Sequence, residues 1–437
     1  MIGVVGGGVA GLAAARRLQE AGYDVMVLEA SDDLGGLAAT YETKGDPIER
    51  YYHHLSKSEE TIVERFEELG LGSDLVWGYG SDAYYVDGVV HPMDKPWEIL
   101  AYPHLSLYDK FRLGLLVLDV DIRGGIPSFD TYEKLEDFED VPVKEFILDH
   151  TSRGCFERFF KPLLEAKFGE RWEDVSAAWL LGRVKFRGER DPLRGELLGY
   201  PLGGFGSLID ALVDSVGMMD IFTGERVTDI GIEDGAVQSV TAETDLGAVP
   251  YTVDGVVIAT MPDVLESITG YACDIDFQGT VCSVISMAEA LTDTYWLNIA
   301  DDAPFGALIE HTNFVSPEQY GGEHLLYAVK YIQDFEDELW QMDDERVEET
   351  WLAGIEDLFP DFDRASVNWI ETSRSPKTAP IYERGYLEKV IPYDLSGEVA
   401  DGVYYAGMAS RAQYPERSLN GAFVAGETAA ERLIQNQ

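Results

Sequence analysis

The sequence predicts an α/β protein: a parallel sheet with helices, joined to an α+β domain built from two insertions. Three observations carry this. Residues 2–30 read as a β-branched strand, a glycine turn, an alanine-rich helix and a second strand. Buried-strand runs recur at 254–260 and 403–407, the second followed by a helix-like stretch. Between these segments lie two long stretches, near 77–197 and 269–389, that mix helical and strand patterns.

The first unit is the most specific. Its turn places Gly6, Gly8 and Gly11 in the spacing G-x-G-x-x-G. Gly6 permits the tight turn, Gly8 lets the backbone approach a pyrophosphate, and Gly11 lets the helix pack close on the strand. The helix N-terminus offers free N–H groups and a positive dipole end to phosphates. Glu29 ends the second strand, where a carboxylate can accept hydrogen bonds from ribose hydroxyls. The unit is therefore Rossmann-like and binds a dinucleotide.

The remaining elements follow in order. Residues 58–71 carry Ile62, Phe66 and Leu69 at helical spacing. Asp87-Gly88 between apolar runs predicts a hairpin over 83–91, since both turn positions can require positive φ. Helical patterns cover 108–120, 143–150, 154–168 and 175–186. Residues 224–230 alternate as a strand. The second insertion shows strands at 280–287 and 325–332 and an acidic helix at 343–357. The expected division is 1–76, 198–268 and 390–437 for the dinucleotide domain, with 77–197 and 269–389 for the substrate domain.

Residues 30–40 read Ala-Ser-Asp-Asp-Leu-Gly-Gly-Leu-Ala-Ala-Thr. Here the chain resembles the flavin-dependent amine oxidase and protoporphyrinogen oxidase superfamily. The resemblance implies FAD, with Glu29 and Ala30 at the ribose and Gly35-Gly36 along the pyrophosphate and ribityl chain. Leu37 stands where many members have Arg. Residues 254–260 look like the superfamily's strand motif near the flavin, which implicates Ala259 and Thr260. Val227 aligns with the residue that usually holds the adenine through its backbone. Residues 403–408 and 418–426 resemble the closing motif, which brings Gly407, Met408, Asn420 and Ala422 to the ribityl chain and pyrimidine ring. Met408 replaces the Asp of most members. The resemblance runs from residue 1 to about 432 and specifies the cofactor more sharply than the substrate.

Candidate chemistry lies elsewhere. His53 and His54 follow the Gly-Gly loop where members of the superfamily pass under the flavin, and UDP-galactopyranose mutases carry paired histidines there. Either histidine can donate to the flavin or shuttle a proton. Arg158, Lys161 and Lys167 interrupt an apolar stretch, which suggests an anionic substrate or Lys167 near the flavin. Arg183, Lys185, Arg187, Arg190 and Arg194 form a basic cluster suited to carboxylate or phosphate, with Arg183 and Arg187 as substrate-binding candidates. Residues 200–208 resemble a Pro-x-Gly-Gly turn that approaches the flavin and opens a helix. The segment 374–386 resembles the return from the substrate domain, with Tyr382 as a catalytic candidate and Tyr386 as part of an aromatic wall. The expected activity is an FAD-dependent oxidoreductase that removes a hydride beside nitrogen or from a C–C bond of a small molecule. The alternatives are a mutase-like, non-redox use of flavin on a nucleotide sugar and an isoprenoid desaturase.

Composition narrows the setting. Asp and Glu total 80 against 33 Lys and Arg, a net charge of −47. Scattered acids of this density disfavour nucleic-acid binding and repel one another at low salt, which points to a halophile. No run reaches the length and apolarity of a membrane span. The fingerprint begins at residue 2, which leads us to expect no signal peptide and a cytoplasmic protein. Cys155, Cys273 and Cys282 lack metal-ligand spacing and read as small hydrophobes, so no metal is expected. The sequence leaves monomer and homodimer open.

Overall fold

The structure, a computed structural model, describes residues 1–117, 135–186, 190–191 and 193–436. Strand β1 (Ile2–Val5), helix α1 (Val9–Glu20) and strand β2 (Val25–Leu28) form the expected opening unit. Ile2, Val4 and Val5 are buried, as befits the centre of a parallel sheet covered on both faces. That sheet has five strands. Their order is Ile221–Phe222, β2, β1, Gly255–Ile258 and Val403–Tyr405, all parallel. Its strands come from widely separated parts of the chain. The C-terminal helix Leu419–Asn436 packs on α1 so closely that a Cβ on Gly426 would lie 2.1 Å from the Ala10 carbonyl oxygen.

A seven-stranded sheet faces this layer. Its order is Val367–Pro380, Phe277–Met287, His324–Ile332, Ala307–Glu310, Trp296–Ile299, Asp82–Val86 and Val89–Pro92. The last two strands are the expected hairpin, with Asp87 at φ 51° and Gly88 at φ 75°. The acidic helix, Asp344–Leu358, covers one face through Val347, Trp351 and Ile355. The expected domain boundaries near 76 and 198 fall inside one antiparallel pair, Leu75–Gly80 with Gly195–Pro201, which carries the chain between the two sheets.

The helix expected over 154–168 is interrupted. A short helix Arg153–Cys155 opens into a π-helical turn, Phe156–Phe160, before Lys161–Phe168 resumes α-helical. Pro162 supplies the reason. It has no N–H for the Arg158 carbonyl and its ring would crowd that carbonyl, and a widened turn relieves both. The helix expected over 108–120 is observed as Leu107–Val117, and the remainder lies outside the described residues. No described helix is long and apolar enough to cross a membrane.

Candidate active site

A cavity of about 1330 Å³ lies between the carboxyl ends of the parallel strands and the seven-stranded sheet. This is the crevice where open α/β sheets bind ligands, and its volume exceeds the ~300–1,000 Å³ of an ordinary small-molecule pocket. Its two ends differ in chemistry.

The first end is built of backbone. Gly6 has φ +107°, and a Cβ on Gly11 would lie 1.9 Å from the Gly6 carbonyl oxygen, so α1 rests directly on the turn. Gly8 differs from both, because its Cβ would meet nothing nearer than the Gly35 carbonyl oxygen and Gly36 Cα at 3.9 Å. Packing does not demand a glycine there; open space for a ligand does. Gly8 also caps α1 without any side-chain hydrogen bond, leaving the helix N-terminus for an anion. Glu29 accepts from Gly7 N–H at 2.6 Å and from Ser31 N–H at 2.8 Å. The Ser31 hydroxyl donates to it as well, at 2.9 Å; a carboxylate has about four acceptor positions, so room for a ribose hydroxyl is left.

Ala30, Gly35, Gly36, Val227, Ala259, Thr260, Gly407, Met408 and Ala422 all border the same cavity. Val227 lies beside Glu29, since Glu225 N–H donates to the Glu29 carbonyl at 2.8 Å. A glycine cradle, an uncapped helix end and an acid in one elongated cavity fit a dinucleotide such as FAD. Leu37 and Met408 also reach the cavity and bring no charge to it. Two expected residues stand elsewhere. Gly11 packs behind the turn, and Asn420 Oδ1 accepts from Ile62 N–H at 2.9 Å, which ties the helix Glu60–Glu68 to the C-terminal helix.

The second end gathers side chains. His53, His54, Lys167 and Arg183 line it. His53 Nδ1 donates to the Tyr51 carbonyl at 2.6 Å, which leaves Nε2 as an acceptor. Burial, with the nearby Arg417 charge, pushes the His53 pKa down to about 3. His53 Nδ1 is thus already engaged, and burial disfavours the charged ring, so any hydrogen bond to the cavity falls to Nε2. His54 Nδ1 meets the Tyr295 hydroxyl at 2.9 Å. Lys167 Nζ reaches Glu416 at 2.5 Å and lies 5.0 Å from the Trp179 ring centre. Burial lowers the Lys167 pKa, against the opposing pull of Glu416.

Tyr382 and Tyr386 do not form the expected aromatic wall. Both are buried, with ring centres 5.0 Å apart, and neither borders the cavity. The Tyr382 hydroxyl donates to the Gln413 carbonyl at 2.9 Å, so the pair supports the closing segment from behind. Arg187 lies outside the described residues, and Arg194 is exposed, 5.5 Å from the Tyr79 ring centre. Lys161 pairs with Glu165, and Arg158 donates to the His104 carbonyl; neither borders the cavity.

Sequence reasoning missed Tyr52, Tyr331, Glu416 and Arg417, all on the cavity wall. The Tyr52 and Tyr331 hydroxyls are 2.8 Å apart. Burial raises the Tyr331 pKa, but the charges of Arg417 and Lys167 outweigh it and bring the pKa below the usual phenol value. Arg417 carried a visible signal, a cation directly before the closing helix in a chain poor in bases. Tyr331 carried none beyond its place in a strand.

Comparison with known proteins agrees with this geometry. An Exiguobacterium protein proposed to be a protoporphyrinogen oxidase superimposes with a TM-score of 0.79, covering 100% of this chain and 99% of its own at 19% identity. Reduced UDP-galactopyranose mutase gives 0.74 at 17% identity, covering 100% of this chain and 96% of that one. By sequence, the flavin-containing amine oxidase B of Cavia porcellus is 29% identical over 188 residues, 42% of this chain and 35% of that protein. The matched region thus spans about a third of the relative's length. The profile of the flavin containing amine oxidoreductases matches residues 9–434, and the chain belongs to that family of FAD-dependent enzymes.

Proposed function

We propose that this enzyme removes a hydride from a small molecule, at a carbon beside nitrogen or from a saturated C–C bond. The observation that carries the reading is the continuity of the cavity. The glycine cradle and the polar, aromatic end open into one space, so a substrate there lies against the cofactor. Bound FAD supplies the two-electron acceptor. The protein's own residues do the rest. Trp179, Trp296 and Phe160 on the wall exclude water from the reacting carbon. His53, uncharged, offers an acceptor nitrogen without adding a positive charge. The Tyr52–Tyr331 hydroxyl pair can pass a proton, because the neighbouring cations favour the Tyr331 phenolate.

The purified protein is expected to be yellow, and an anaerobic screen of amines and unsaturable hydrocarbons should bleach it. A colourless protein that takes up no FAD would sink this reading. The cations on the wall also support a mutase-like reading on a nucleotide sugar. That reading requires turnover of a UDP-sugar only after reduction with dithionite. The charge of −47 supports work in concentrated salt, inside the cell.

A further inference from the structure

Three cations meet at one end of the cavity. Lys167 closes the helix Lys161–Phe168, and Leu163 and Leu164, one turn earlier, turn to the same wall. Arg183 stands one turn beyond Trp179 on the helix Ala177–Phe186 and faces the cavity as well. Lys167 and Arg183 both reach the same Glu416 oxygen, each at 2.5 Å. Arg417 is next in the chain. It also borders the cavity, and its guanidinium has no ion pair and no hydrogen bond with any described residue. Lys167 and Arg183 share the Glu416 carboxylate, with Arg417 next to it and the buried Glu59 close by, in a chain whose acids outnumber its bases 80 to 33. The Arg417 guanidinium feels the charge of Glu416 and the nearby Tyr331 and Tyr52 hydroxyls but leaves its fork without a hydrogen bond to a described residue, and a planar fork matches an oxyanion bidentately. The wall beyond the cations carries an apolar strip, Leu113, Leu116, Phe159 and Leu163, with Tyr84 stacked on Phe159 and Asn298 beside Tyr84 at its polar border.

We propose that the substrate is an amphiphilic carboxylate, its acid held by Arg417 between Lys167 and Arg183 and its apolar body laid along Leu113, Leu116, Phe159 and Leu163. The proposal rests on the oxidoreductase reading and specifies its substrate class. The apolar strip favours a carboxylate on an apolar body over a nucleotide diphosphate, which needs polar partners for its sugar and base.

The test uses the FAD-loaded enzyme at one fixed salt concentration and follows perturbation of the flavin spectrum. The probes are octanoate, octanol and uridine diphosphate. Octanoate is expected to bind on the order of ten-fold tighter than octanol. Arg417→Met should remove that preference and leave octanol affinity and FAD content unchanged, while Arg417→Lys should restore part of it. Equal affinity for octanoate and octanol would overturn the proposal, as would an undiminished preference in Arg417→Met. Uridine diphosphate binding through Arg417 with octanoate excluded would also overturn it. If Arg417→Met does not retain FAD, Arg183→Gln keeps the proposal exposed: octanoate must weaken several-fold there, and an unchanged affinity overturns it. A protein that holds FAD and is bleached by substrates, yet shows no carboxylate preference, separates failure of this inference from failure of the oxidoreductase reading.

Discussion

Gly8 and Gly11 share a motif but answer to different constraints. A Cβ at Gly11 would collide with the Gly6 carbonyl at 1.9 Å, so Gly11→Ala should destabilise the FAD-free protein by about 1–3 kcal/mol. At Gly8 the nearest atom is 3.9 Å away, so Gly8→Ala should leave the FAD-free melting temperature unchanged and weaken FAD binding. Thermal melts without FAD and a flavin titration separate the two, and wild-type FAD affinity in Gly8→Ala would contradict the assignment. Glu49 makes a different prediction. It is buried, accepts from Phe205 N–H at 2.6 Å and from the Tyr200 hydroxyl at 2.8 Å, and burial pushes its pKa up to about 7. A carboxyl with a raised pKa binds its proton more tightly when folded. Its stabilisation is therefore complete below the ordinary value of 4.5 and is lost as pH rises through about 7. Glu49→Gln keeps an accepting oxygen, so denaturation curves across this window should lose on the order of 3 kcal/mol of pH dependence. An unchanged pH profile would show that Glu49 is ionised in the fold. The glycines were legible in the sequence because their roles are written in the backbone of one short segment. Arg417, Tyr331 and Tyr52 were not, because the site unites three segments of the chain and no local pattern announces which residues turn inward.

At the scale of elements, the contact between α1 and the C-terminal helix sets the frame of the cofactor end. Gly426 lets the two helices touch, and its Cβ would lie 2.1 Å from the carbonyl oxygen of Ala10, in the first turn of α1. Gly426→Val should lower the melting temperature and release FAD together. Gly397→Ala, where a Cβ meets nothing within 4 Å, serves as the matched control. Loss of stability without loss of flavin would show that the helix contact does not hold the cradle. Amphipathic helices and the hairpin were readable because their periodicity and turn chemistry are local. The π-helical turn at Phe156–Phe160 was not foreseen, although its cause, Pro162 after Lys161, stood in the sequence. Apolar periodicity alone reads straight across a proline, and only the missing donor explains why the helix widens there.

Charge acts on the molecule as a whole. Ion pairs such as Arg364 with Glu349 at 2.7 Å and Lys144 with Glu173 at 3.1 Å cannot balance the surface, since 33 bases face 80 acids. Self-repulsion should therefore dominate at low ionic strength and fade near 1 M salt, where the screening length is about 3 Å. Dialysis to low salt is expected to lower the melting temperature and the activity, and full stability at about 50 mM salt would contradict the halophilic assignment. At this scale the cofactor layer was legible because its motifs mark strand ends, while the cavity's second end depends on how two distant insertions meet. The parallel sheet has one more consequence, for synthesis. Its outer strand, Val403–Tyr405, comes last of the five in chain order. Until then Gly255–Ile258 lacks a neighbour and the flavin lacks one wall. Vectorial folding can prepare the cradle but cannot close it, so a chain stopped short of residue 403 should emerge without colour, and flavin capture waits for that strand.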